Sequence, residues 1–140
     1  MATRALGDPA RASSVTSLVP AAGRAMISVL FLLSGVGKVA APAATIGYIK
    51  SVGLPLPSVA FALSALVEIL GGLALLLGFR TRLVASVLFA FTLATAAVFH
   101  NNLADQNQLI HFFKNIAIAG GLLNVVALGA GALSVDQRRG

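Results

Sequence analysis

Glu68 stands alone as a charge in a long apolar stretch, Ser58 to Phe79. A carboxylate placed in hydrocarbon costs from a few to roughly 10 kcal/mol or more. It must be protonated, paired with a cation or turned into a protein interior. Each outcome makes it a candidate for holding a proton or hydrogen-bonding a ligand. Lys38, His100 and Lys114 lie close to the ends of neighbouring apolar runs, and add an ammonium, an imidazole and a second ammonium. Lys38 can hold the carboxylate ionised; without a cation, desolvation drives it toward the neutral acid. The residues leave both states open. His100 and His111 are separated by Asn101, Asn102, Asp105, Gln106, Asn107 and Gln108, a polar loop rather than the close spacing of metal-binding histidines, so no metal site is expected. No nucleotide-binding glycine loop, GxSxG or HExxH is present, and no catalytic residue is assigned.

These groups need a scaffold, and composition identifies its solvent. Of the 140 residues, 58% are hydrophobic and only 10% charged, where a soluble domain carries about 25% charged residues. So few charges cannot cover a water-facing surface, and a lipid bilayer must do so instead. The net charge of +6 comes from Lys and Arg scattered near the ends of apolar runs. That distribution suits membrane orientation rather than a nucleic-acid footprint, so no nucleic-acid partner is expected. The chain has no cysteine, which excludes disulfides, thiolate nucleophiles and Cys-ligated metals within it.

Four apolar segments are expected to be helices at about 20–41, 58–79, 82–100 and 112–135. Lipid offers no partner for backbone amides, so each segment must satisfy its own, and the unbroken runs do not alternate as barrel strands do. Residues 1–19 lack the apolar core of a secretory signal and are expected to form a disordered cytoplasmic tail, with 136–140 a second tail. Pro20 suits a first helical turn, Pro42 marks a stop, and Ser58 is a plausible N-cap. Gly53-Leu54-Pro55-Leu56-Pro57 cannot continue a helix. The expected fold is therefore all-α, an integral membrane four-helix bundle. Arg4, Arg11, Arg24, Arg80, Arg82, Arg138 and Arg139 fall on one side and Lys38, Lys50 and Lys114 on the other. The positive-inside rule then makes both termini cytoplasmic, with Arg80 and Arg82 as topology determinants.

In this arrangement Glu68 lies about 15 Å into the second span, near the midplane. Lys38, His100 and Lys114 gather at the outer face. Helical spacing gives three stripes: Ser28, Gly35 and Lys38; Ser64, Glu68, Gly71 or Gly72 and Leu75; and Lys114, Ala117, Gly121, Asn124 and Gly131. Small and polar residues favour close helix contact in lipid. The stripes are expected to meet at the bundle axis and bring Asn124 to the site.

The order Arg24, Phe31-Leu32-Leu33-Ser34-Gly35-Val36-Gly37-Lys38, Gly53-Leu54-Pro55, Glu68 through Gly78, Thr81-Arg82 and Phe99-His100 resembles the DoxX family of small membrane proteins. The resemblance runs from about Arg24 to Phe113. It implies a four-helix protein of the bacterial inner membrane, similar to the membrane subunit of a thiosulfate:quinone oxidoreductase. It also implies marked polar positions at Arg24, Lys38, Glu68, Arg82 and His100, which adds Arg24 to the candidate buried site. The functional expectation is a membrane subunit or small-molecule-binding module serving a redox system, with a quinone-like ligand, a redox partner protein and self-association. The competing expectations are a non-enzymatic scaffold and a small-solute transporter.

Overall fold

The computed structural model describes the backbone of residues 9–140 and the side chains of residues 15–140. It contains six helices among these residues and no strand: α1 (Pro9–Ala40), α2 (Pro42–Ser51), α3 (Pro57–Leu77), α4 (Thr81–Phe99), α5 (Gln106–Leu128) and α6 (Val135–Arg139). Four are long and apolar enough to cross a membrane, spanning Val15–Ala40, Pro57–Leu77, Thr81–Phe99 and Gln106–Leu128. The all-helical, four-span architecture expected from the sequence is the one observed.

The boundaries differ in ways that matter. Helix α1 continues back to Pro9 and carries Pro20 in its interior. The segment 9–19, expected to be disordered, is therefore helical, as its Ala and Arg content allows. Residues 1–8 of that expected tail lie outside the described residues. Pro42 ends α1, but it also opens α2 at a position where its missing N–H is no loss. Helix α3 begins one residue before Ser58. Leu56 is its N-cap in the left-handed conformation, with Pro57 in the first turn, so Ser58 is not the cap.

Gly78 closes α3 at φ 68°. The amide of Phe79 donates to Ala74 O at 2.9 Å and that of Gly78 to Leu75 O at 3.1 Å. This pairing satisfies carbonyls that the helix end would otherwise strand. Helix α5 starts at Gln106, earlier than expected, because Asp105 caps it by accepting from Gln108 N at 2.9 Å. It also ends earlier, at Leu128, where Gly129 turns the chain at φ 82°. The run to Val135 is not one helix. Its last part folds back on the bundle and leads into α6.

Helix α1 packs most extensively on α3, and α4 on α5; α3 and α4 form the tight hairpin between the two pairs. The α1–α3 approach depends on Gly35, where a Cβ would come within 2.7 Å of Ile69 Cγ1. Phe31, Leu75, Ala85, Leu88 and Leu122 form the buried core. Met26, Leu33, Leu70 and Leu128 are among many large apolar side chains that point outward. In water such a surface would be untenable; in a bilayer it is the expected face.

Candidate functional site

The carboxylate of Glu68 is buried and paired. Lys38 Nζ lies 2.8 Å from Oε1 and 2.6 Å from Oε2, and Ser34 Oγ donates to Oε1 at 3.0 Å. Lys38 also donates to Ser34 Oγ at 2.9 Å. Ser34 and Lys38 are one turn apart on α1 and share a face. Helical side chains lean toward the N-terminus, so Lys38, close to the end of α1, reaches down the axis toward Glu68. Of the two states that the sequence left open, the structure has the ion pair. Every donor of the ammonium is engaged, which is what a charge pair needs when removed from water.

The pair borders a cavity of about 690 Å³ between the two helix pairs. Phe31, Val67, Phe91 and Ile118 contribute apolar wall. Thr92 and Thr95 also face it, but donate to Leu88 O and Thr92 O of their own helix. Their oxygens remain available as acceptors. Helix α2 covers one side with Tyr48 and Ile49, and Tyr48 packs on Phe99 at 5.6 Å between ring centroids. At the mouth, His100 and His111 stack at 5.1 Å, and Nδ1 of His100 is 2.9 Å from Gln108 Oε1. Lys114 lines the same mouth.

The expected constellation of Lys38, Glu68, His100 and Lys114 is thus brought to one cavity. His100 stands at its entrance rather than on the Glu68 carboxylate. Two other candidates are elsewhere. Asn124 is exposed on the outer face of α5, where its amide donates to Gly120 O at 3.0 Å. The expected stripe through Lys114, Ala117, Gly121, Asn124 and Gly131 is offset from the true inner face, which carries Ala119 and Leu122, and Gly131 lies beyond the end of α5. Arg24 is buried midway along α1, beside the C-terminal end of α3 and away from the cavity. It donates to Leu75 O at 2.9 Å, Leu76 O at 3.3 Å and Leu133 O at 2.6 Å. It neutralises the carbonyl end of α3 and is not part of the Glu68 site.

That end of α3 is closed by the C-terminal segment. Asp136 N donates to Gly78 O at 2.9 Å. The Asp136 carboxylate accepts from Arg80 N at 2.7 Å and Thr81 N at 2.8 Å. Partial desolvation pushes the Asp136 carboxyl up. The backbone amides of Thr81 and Arg80, the nearby Thr81 hydroxyl and the Arg24 charge outweigh it and hold the group below the ordinary carboxylate range. The Thr81 hydroxyl lies beside the carboxylate without a well-formed hydrogen bond; the two amides carry the interaction. Arg80 and Arg82 are exposed at this end, and Arg82 reaches Ala127 O at 3.4 Å.

Sequence reasoning missed Ser34, Tyr48 and His111 as site residues. Ser34 was findable one turn before Lys38. His111 falls one turn before Lys114 once the Asp105-x-x-Gln108 cap is read as a helix start. Tyr48 depended on α2, which the prolines concealed.

The chain matches the DoxX family over residues 19–101. It is 40% identical over 114 residues to the inner membrane protein YqjF of Escherichia coli strain K12, a match covering 81% of this chain and 86% of that protein. It is 32% identical over 120 residues to the inner membrane protein YphA of the same strain, covering 82% and 86%. An 82-residue match at 30% identity to the ER-derived vesicles protein ERV29 of Saccharomyces cerevisiae covers 54% of this chain and 26% of that protein. No solved structure matches the chain.

Proposed function

We propose, from the premise that this chain belongs to the DoxX family of multi-pass membrane proteins, that it is the ligand-binding membrane component of a redox system. The names of its two bacterial relatives support the inner membrane as its location. The observation that carries the reading is the 690 Å³ cavity, which joins apolar walls to the Lys38–Glu68 pair and to the His100, His111 and Lys114 mouth. Apolar walls with a few convergent polar groups are the usual form of a small-molecule site. A quinone-like ring fits this chemistry: aromatic and aliphatic walls receive its body, and imidazole or ammonium donors suit its carbonyls. When bound, such a ring supplies two-electron, two-proton chemistry. The chain's own residues exclude water, orient the head and hold charge at Lys38 and Glu68. The chain has no cysteine to pass electrons onward, so a redox partner protein completes the proposal.

The closed end at Arg24 and Asp136 supports binding in preference to passage, since a transporter needs an exit there. Thermal melting of the purified protein with and without a short-chain benzoquinone tests the reading. A saturable rise in melting temperature is expected, weakened in Glu68→Gln. An unchanged melt at saturating quinone would remove the ligand reading, and full stabilisation of Glu68→Gln would remove Glu68 from it.

A further inference from the structure

The charges around the cavity do not cancel. Its titratable lining groups are Lys38 from α1, Tyr48 from α2, Glu68 from α3, His100 at the end of α4, and His111 and Lys114 from α5. Glu68 is the only acid among them, and Lys38 neutralises it at 2.6 Å. Lys114 has no ion-pair or hydrogen-bond partner among the described residues. The nearest acid in sequence, Asp105, spends its carboxylate on the Gln108 amide. The exposed ammonium of Lys114 therefore stands unpaired in the lining of a largely apolar cavity, which His100 and His111 also line. His100 has Nδ1 occupied by Gln108, which leaves its other ring nitrogen for a ligand.

We infer that the cavity takes an amphipathic organic anion, an apolar body with a single carboxylate- or phenolate-type head held at Lys114. The inference rests on the reading that this cavity binds a ligand, and goes beyond it by fixing the charge of the head and where it sits. One free ammonium matches one negative charge. The head belongs at the mouth because the inner polar group is already a closed pair, and a second anion near Glu68 would be repelled. The body then lies against Phe31, Val67 and Phe91.

The test compares 4-butylbenzoate with 4-butylbenzyl alcohol, which share a body and differ in head charge. Binding is measured on the full chain in lipid nanodiscs. Lys114→Gln should weaken benzoate about tenfold, the loss of one charge-assisted hydrogen bond, and leave the alcohol unchanged. Lys114→Arg should restore benzoate binding, and benzoate affinity should fall as salt rises. Lys50→Gln, a cation outside the cavity lining, should change neither. Taking each variant's acid-to-alcohol ratio against the parent's cancels partition into lipid. Equal losses from Lys114→Gln and Lys50→Gln, or equal losses for acid and alcohol, would overturn the inference. A short-chain benzoquinone run alongside separates the two claims. Quinone binding without benzoate binding sinks the anionic head alone, whereas no binding by any of the three sinks both.

Discussion

At the scale of single residues, burial decides what each charge can do. Glu68 and Lys38 are worth little as separate groups and much as a pair, because either one left alone would be an unpaired charge in a low-dielectric interior. Glu68→Leu is expected to destabilise the protein by about 3–5 kcal/mol, and Lys38→Met with Glu68→Leu to recover most of that loss. Denaturation of the three proteins in one detergent checks this; a harmless Glu68→Leu would contradict the ion pair. Asp136 makes the second residue-scale prediction. Its folded value is depressed, so it stabilises the fold at neutral pH, and that contribution is lost as pH falls through the folded value. The melting-temperature gap between the parent and Asp136→Asn should therefore be open at pH 7 and close below about pH 4. The sequence could reveal that Glu68 needed a partner and that Lys38 was within reach. It could not reveal Asp136, whose partners are backbone amides brought near only by the fold.

At the scale of elements, the four spans were legible because lipid requires long apolar helices. Their ends were not, because ends are set by local chemistry with competing readings. Pro42 stops one helix and starts the next. The stretch from Gln106 to His111 reads as a loop until Asp105 is recognised as a cap. The fold-back after Leu128 turns at Gly129 and Gly131, but it is held in place by Arg24, which lies on another helix. Gly78 is where these constraints converge: it has a positive φ, and a Cβ there would meet the Ser134 side chain and the Arg24 guanidinium. Gly78→Ala should cost about 2–5 kcal/mol from left-handed strain and crowding together. A melt matching the parent's would show that the C-terminal segment does not seat against this turn.

At the scale of the whole molecule, two ends with different chemistry flank a common apolar core. One end is sealed by Arg24, Gly78 and Asp136; the other carries the cavity, with His100, His111 and Lys114 at the entrance. If both termini are cytoplasmic, as the Lys and Arg distribution proposes, the entrance faces the outer side. The chain is free of tryptophan, so one introduced indole can report occupancy without background. Phe91→Trp places it on the cavity wall, and Leu123→Trp places it on the exposed face of α5. Titrating both with a short-chain benzoquinone in nanodiscs tests the account most directly. Saturable quenching at position 91, abolished by Lys38→Met with Glu68→Leu, and only linear quenching at position 123 is the predicted result. The same linear, non-saturating quenching at both positions would contradict it.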